Sequence, residues 1–398
     1  MMPSKNPSPK HMARPSQDLV EVTCSCFVGS SGTEEYNFML KPLRYGHFSD
    51  QLEWLDSAMQ EALQENDLDR HCIVFRRFFC SDLPNQEAEL RRHPFCNPDG
   101  VANGAVSLIN QPPVAPAKAT LWVYCIKDPL SQNAGIKNGT SFSLQRGDLK
   151  HVWTTGCTAA NVTGSHAQTN AIFKAYLSGL REDSMTLEEN CLRTWFYVKD
   201  VDANYNGLVV ARNEVFDTCG LTKDSHYIAS TGIQGSSADI HALVMMDAYA
   251  IKGVRPEQVQ HLHALEYLSH THKYGVAFER ATAISYADRK HVVISGTASI
   301  DSEGEVVHVG DVMRQLDRTL INIGALLDQA NATMEDMQHF IVYLRDPSDA
   351  EIIRDILKER IGDKPFLVVT GPVCRPEWLI EIEGIATIHN QDDALPAF

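Results

Sequence analysis

Two acidic side chains near the C-terminal end have the spacing of groups that share one surface. In the segment LIEIEG, Glu381 and Glu383 are separated by one residue. The alternation of a β-strand places both on one face and Ile380 and Ile382 on the other. A carboxyl group in a partly apolar cleft keeps its proton to higher pH, so it can act as a general acid near neutral pH. The alternative is a solvated face of an edge strand.

Arginine and tyrosine side chains close by could bind an anion. Residues 266–281 (EYLSHTHKYGVAFERA) contain Tyr267, Tyr274 and Arg280, and Arg375 lies in VCRPEW. A guanidinium group binds a carboxylate through two parallel hydrogen bonds, and a phenol offers a hydroxyl group. Considered singly, such an arginine or tyrosine is more often part of a surface pair or a packed ring.

Other candidate positions give weaker signals. Cys374 lies beside Arg375, where a buried thiol is nearly always a packing group. Gly296, in SGTA, either lets the backbone approach a ligand closely or simply bends a strand. The chain contains neither a metal-binding H-E-x-x-H pattern nor a Gly-rich phosphate loop, so neither a metal nor a cofactor is expected, despite four clustered histidines: His261, His263, His270 and His272.

A repeated pattern of elements positions these residues. In the last third of the chain, strands at 291–300, 339–346 and 378–387 alternate with amphipathic helices, the longest at 311–329. The same order recurs between 151 and 251 and, more weakly, near the N-terminus. It predicts an α+β fold of three similar units at 21–130, 149–252 and 261–390, after a disordered tail at 1–20 and with a polar linker at 131–148.

The composition is that of a globular protein with excess negative charge. The chain has 398 residues, a formal net charge of −16 and no stripe of basic residues, which disfavours nucleic acid as a partner. Its ten cysteines form no C-x-x-C pair, a pattern typical of reduced thiols. No apolar run approaches the length of a membrane helix, and no secretory signal begins the chain. We therefore expect a cytoplasmic protein without a membrane partner.

The C-terminal unit resembles the RidA/YjgF family. SGTASI, the long helix after GD and the ending IEIEGIA (380–386) carry this resemblance. It implies a chorismate mutase-like barrel that forms trimers with ligand sites between neighbouring barrels. Three such units in one chain would build a pseudo-trimer, as a monomer or within a homo-oligomer. The arginine that imine deaminases of that family place after proline is Leu367 here, which disfavours deaminase chemistry.

A second resemblance, over residues 190–388, is to the chorismatases. It is carried by RTWFYVKDV, by the Y-G-x-x-F-x-R-A pattern ahead of SGTASI, and by VCRPEWLIEIEG (373–384). It implies that chorismate is the small-molecule substrate and that its enolpyruvyl ether is cleaved without metal or cofactor, releasing pyruvate. The interval from Tyr267 to Arg280 is shorter than that family's pattern.

The chorismatase resemblance also implies residue roles. Glu381 matches the catalytic acid, and Cys374 matches a position that favours 3-hydroxybenzoate over a dihydroxycyclohexadiene carboxylate. Arg280 matches a carboxylate-binding arginine and Tyr267 a hydroxyl donor to the ligand. Tyr274, Arg375 and Gly296 lie in the same motifs and are expected to line the substrate site. A RidA-type enamine/imine deaminase and a non-catalytic ligand-binding protein are the alternative functions.

Overall fold

Three six-stranded sheets follow one another along the chain in the computed structural model, each with helices packed against one face. The structure describes residues 12–16, 18–96, 104–128 and 135–398. The tail expected at 1–20 therefore lies partly outside the described residues, and within it Met12–Ser16 forms a strand instead. Among the residues that the structure describes, none of the helices combines the length and the apolar composition that a membrane crossing requires.

The first unit contains the strands and helices that precede residue 128. Its sheet has the order β1-β2-β3-β6-β4-β5, in which only β4 and β5 are parallel neighbours. The elements are β1 (Met12–Ser16), β2 (Val20–Val28), β3 (Glu34–Pro42), α1 (Phe48–Glu65), β4 (Ile73–Cys80), α2 (Leu83–Arg92), β5 (Ala105–Asn110) and β6 (Ala119–Lys127).

The second unit repeats this topology. Its sheet order, β7-β8-β9-β12-β10-β11, is the order of the first sheet with each strand replaced by its counterpart. The elements are β7 (Ile136–Asn138), β8 (Ser141–Arg146), β9 (Leu149–Thr158), α3 (Ser165–Glu182), α4 (Leu187–Asn190), β10 (Cys191–Val198), α5 (Val201–Thr218), β11 (Ala229–Gln234) and β12 (Val244–Lys252).

The third unit repeats it again. The sheet order is β13-β14-β15-β18-β16-β17, with β16 and β17 as the parallel pair. The elements are β13 (Val259–Leu262), a short 3₁₀ turn (Thr271–Tyr274), β14 (Ala281–Ser285), β15 (Arg289–Ala298), α6 (Val312–Gln329), β16 (Met337–Leu344), α7 (Ala350–Ile361), β17 (Phe366–Thr370) and β18 (Ile380–His389).

The segment at 131–148, expected to be a polar linker, contains β7 and β8 and completes the second sheet. In SFSLQR, Phe142 and Leu144 are buried while Ser143 and Gln145 point outward. This two-residue alternation is the strand signal that the polar composition of the segment obscures. The second unit therefore begins before residue 149.

The central strands are buried on both faces because helices cover one side of each sheet and the neighbouring units cover the other. All residues of β16 (MQHFIVYL) are buried, as are all those of β4 and β10. Helix α6 begins where the Asp311 side chain accepts a hydrogen bond from the backbone N–H of Arg314. It buries Leu316, Ile323 and Leu327 against the sheet.

The three units close into a ring. Bridges join Asn110 to Ser236, Ile233 to Val373, and Pro113 to Val369, linking the first unit to the second, the second to the third and the third to the first. In each bridge one partner lies in or just after the counterpart strand β5, β11 or β17. The expected fold class, three RidA-like units arranged as a pseudo-trimer in one chain, is confirmed.

Candidate active site

A cavity of about 540 Å³ lies where the second and third units meet. Helix α5 and strand β11 form its wall on the second unit. On the third unit, the wall comes from the turn before β14, from β15, and from the segment that leads into β18. Of the seven candidate residues from the sequence, the cavity brings together six: Tyr274, Arg280, Gly296, Cys374, Arg375 and Glu381.

Glu381 lies on β18, opposite Ala298 of β15 and Tyr343 of β16. Its side chain is only 5% exposed, and burial, together with the neighbouring Glu383, raises its pKa to about 8. Arg193 and Arg280 oppose this shift without cancelling it. At neutral pH the group therefore carries a proton that it can donate.

Gly296 lets this carboxyl group lie directly against β15. A Cβ atom at this position would lie 2.8 Å from the carboxyl carbon of Glu381 and 3.1 Å from the methyl group of Thr231. The backbone N–H of Gly296 donates a hydrogen bond to the Thr231 hydroxyl (2.9 Å). The glycine thus provides space for the catalytic candidate.

Two arginines of the third unit converge on the same aromatic ring. Arg280 donates from Nε and Nη2 to the carbonyl of Ser269 (3.2 and 3.0 Å), and its guanidinium carbon lies 5.5 Å from the centre of the Tyr274 ring. Arg375 lies 4.7 Å from the centres of the Tyr274 and Trp378 rings. These contacts hold both cations at the cavity wall.

Helix α5 of the second unit adds residues that sequence reasoning missed. Tyr205, Val209 and Arg212 follow one another at helical spacing along the wall of the cavity. Arg212 is buried, and its Nε and Nη2 atoms have no hydrogen-bond partner among the residues that the structure describes. A buried guanidinium group in the wall of a cavity is suited to bind an anionic ligand.

The thiol of Cys374 interacts with the Tyr205 hydroxyl across the boundary between the two units. Burial first, and then the proximity of Glu381, raises the pKa of the thiol to about 12. Cys374 is therefore a neutral, weakly polar group beside the acid, suited to shaping the cavity rather than to nucleophilic attack.

Comparison with known proteins agrees with this architecture. The sequence model of the family described as "Endoribonuclease L-PSP" matches residues 279–388. A 3-hydroxybenzoate synthase from Streptomyces hygroscopicus is 26% identical over 219 residues, which are 48% of this chain and 62% of the relative. A chorismatase from Streptomyces rapamycinicus is 30% identical over 212 residues, again 48% of this chain and 63% of the relative. A RutC family protein from Pyrococcus abyssi is 35% identical over 98 residues, which are 24% of this chain and 76% of that relative. This chain belongs to the RutC family and is similar to chorismatases.

The chain spans less than two thirds of the length of these curated relatives. A crystal structure of a chorismatase superposes with a TM-score of 0.60, covering 79% of this chain and 93% of that chain at 18% sequence identity. At this identity the superposition establishes a shared fold.

Tyr267 does not reach the cavity, contrary to expectation. It is 40% exposed, and its backbone carbonyl accepts a hydrogen bond from Nη2 of Arg318 on α6 (2.8 Å). The guanidinium carbon of Arg318 lies 5.9 Å from the centre of the tyrosine ring. These contacts hold Tyr267 at the outer surface of the third unit.

The interface between the first and second units lacks an acidic group at the position of Glu381. In the second unit Met245 pairs with Tyr197 as Glu381 pairs with Tyr343. Met245 lines a cavity of about 460 Å³ between the first and second units. A cavity of about 160 Å³ between the third and first units is lined by Leu367, the position of the deaminase arginine.

The clustered histidines line a separate cavity of about 160 Å³ that shares Arg280 with the candidate active site. Nδ1 of His263 lies 3.2 Å from a carboxylate oxygen of Glu279. Across the described part of the chain, no three His, Cys, Asp or Glu side chains are arranged to hold a metal ion.

Proposed function

We propose that this protein cleaves the enolpyruvyl ether of chorismate, with Glu381 as the general acid. The observation that carries the proposal is a buried carboxyl group with a pKa raised to about 8, in a cavity whose wall includes Arg212, Arg280 and Arg375. Chorismatase and 3-hydroxybenzoate synthase activities belong to the named relatives and support the same reaction class.

The reaction needs a proton on carbon. Glu381 would transfer its proton to the terminal methylene carbon of the enol ether, leaving a carbocation stabilised by the ether oxygen. Water, or an oxygen of the substrate itself, would then trap the cation, and collapse of the adduct would release pyruvate. Because protonation of carbon is slow, the reaction depends on an acid that is both neutral and well placed near pH 7.

Substrate binding would rest on the arginines. Chorismate carries two carboxylates, and a chain of formal net charge −16 needs local cations to hold a dianion. Arg212 approaches from the second unit, and Arg280 and Arg375 approach from the third. We assign Tyr274 to ordering these two arginines of the third unit, because its ring contacts both.

The product that we propose is 3-hydroxybenzoate. The neutral thiol of Cys374 lies beside the acid and the Tyr205 hydroxyl. It would occupy space that a water molecule needs in order to attack the cation. An intramolecular route to the aromatic product is then favoured over hydrolysis to the diol. Gly296 would complete the cavity by letting the carboxyl group approach the substrate.

The test is an incubation of the purified protein with chorismate, with the products separated by chromatography. We expect equal amounts of pyruvate and 3-hydroxybenzoate from the wild type. A folded Glu381→Gln variant should bind chorismate and release no pyruvate, and full activity in it would end the assignment of the acid. Hydrolysis of 2-iminobutyrate instead would indicate a deaminase, and chorismate binding without turnover would indicate a binding protein.

A further inference from the structure

Glu383 is the most densely hydrogen-bonded carboxylate near the candidate acid. It accepts hydrogen bonds from Nη2 of Arg193 (2.7 Å), from the Trp195 indole (2.9 Å), from the Tyr343 hydroxyl (3.1 Å) and from Thr231. Nη1 of Arg77, from the first unit, lies 3.7 Å away. The side chain is 3% exposed. All three units therefore contribute to fixing one carboxylate.

Resting on the proposed function, we infer that Glu383 is a positioning residue for Glu381. It is a fixed negative charge, two residues along the same face of β18, that keeps the neighbouring carboxyl group protonated and therefore able to act as an acid. Its donors come from other strands and other units, so it cannot turn away when Glu381 changes its protonation state.

The interface between the first and second units provides an internal comparison. At this interface Asp247 occupies the position that corresponds to Glu383. Asp247 pairs with Trp195 on the neighbouring strand, and Glu383 pairs with Ile341 in the same way. It accepts hydrogen bonds from Arg77 (3.0 Å), from the Ser107 hydroxyl and from the backbone N–H of Gly156 (2.8 Å). Both interfaces thus hold a buried carboxylate, which serves the assembly of the units.

The difference between the two interfaces lies in the neighbouring residue. Beside Asp247 the equivalent position is Met245, which cannot ionise. Beside Glu383 it is Glu381, whose pKa is raised first by burial and next by the charge of Glu383. The interface carboxylate therefore acquires its second role only where an acid stands next to it.

Other groups around Glu381 act against this effect or are neutral. Removal of Glu383 would leave burial alone to oppose the attraction of the arginines, so the acid would lose its proton at lower pH. The charged and titratable groups that face Glu381 from the packed elements include Glu383, Arg193, Arg280, Cys374, Tyr205 and Tyr343, which lies opposite it on β16.

The experiment measures the pH dependence of kcat for pyruvate release in Glu383→Gln, with Asp247→Asn as the matched control. We expect the alkaline midpoint to fall from about 8 by about one unit or more in Glu383→Gln. At pH 8 kcat would then drop about fivefold, and at pH 5.5 it would stay within about twofold of the wild type. Asp247→Asn removes an equivalent buried carboxylate and should leave the midpoint in place.

Two further variants separate positioning from folding. Glu383→Asp keeps the charge and should keep the midpoint near that of the wild type. If Glu383→Gln does not fold because Arg193 is left unpaired, the double variant Glu383→Gln with Arg193→Met is compared with Arg193→Met alone. Both lack the cation that opposes the effect, so the midpoint should be lower in the double variant. An unchanged or raised midpoint in folded Glu383→Gln, a double variant whose midpoint is not below that of Arg193→Met, or an equal shift in Asp247→Asn overturns the inference.

A second readout does not depend on turnover. The infrared carbonyl band of protonated Glu381, assigned as the band lost in Glu381→Gln, can be titrated in the wild type and in each variant. If the wild type releases no pyruvate from chorismate, the proposed function fails while this titration still decides the role of Glu383. A band with the same midpoint in Glu383→Gln and in the wild type refutes the inference on its own.

Discussion

Replacement of Gly296 by alanine tests whether the placement of Glu381 governs activity. A Cβ atom at this position would lie 2.8 Å from the carboxyl carbon of Glu381, whereas carbon atoms in contact sit about 3.5–4.0 Å apart. The carboxyl group must therefore move by about 1 Å. A misplacement of this size costs about 100-fold in rate when the group must reach a particular atom.

The assay is kcat for pyruvate release, measured together with the melting temperature. The atom displaced is the end of a flexible side chain, and no positive φ angle is involved at Gly296, so we expect the melting temperature to stay close to that of the wild type. Gly324→Ala on α6 is the control, because a Cβ there meets no atom within 4 Å. A Gly296→Ala enzyme with wild-type kcat would refute the reasoning.

Three more predictions follow from the same site. Arg212→Met should weaken chorismate binding by about 10- to 100-fold, the value of a charge-assisted hydrogen bond, whereas Arg314→Met on the exposed side of α6 should not, as calorimetry would show. Because the pKa of Glu381 is raised from 4.5 to about 8, folding binds a proton between these values and stability falls as pH rises through them. Glu381→Gln should therefore gain stability relative to the wild type at pH 8 but not at pH 4, by up to a few kcal/mol in urea unfolding; an equal difference at both pH values would contradict this. Cys374→Ala should raise the proportion of the non-aromatic diol, and an unchanged product ratio on chromatography would remove the role assigned to the thiol.

Local patterns in the sequence predicted those features of the fold and the site that depend on a single strand or helix. The alternation in LIEIEG placed Glu381 and Glu383 on one face, and the structure has them at successive inward positions of β18. The repeated order of strands and helices predicted the three units because each unit must bury the same faces. The short alternation around Phe142 and Leu144 was obscured by polar neighbours, so β8 was missed.

Features of the site that depend on contacts between units had no signal in the local sequence. Arg212 lies in a helix of the second unit and reaches a cavity whose acid is on the third. Its importance comes from a position in the wall of a cavity between two units, which no spacing along the chain encodes. The prediction that Tyr267 lines the cavity was wrong because it rested on a local motif alone. Its motif neighbours Tyr274 and Arg280 face the cavity, whereas contacts with Arg318 hold Tyr267 outside.

The joining of three barrels in one polypeptide has a genetic consequence. In a ring of three identical chains, every substitution appears at all three contacts at once. A change that favours catalysis at one contact must therefore also be compatible with assembly at the other two. Here Glu381 and Met245 occupy corresponding places and are encoded separately. One contact can therefore acquire an acid without the same change at the other two.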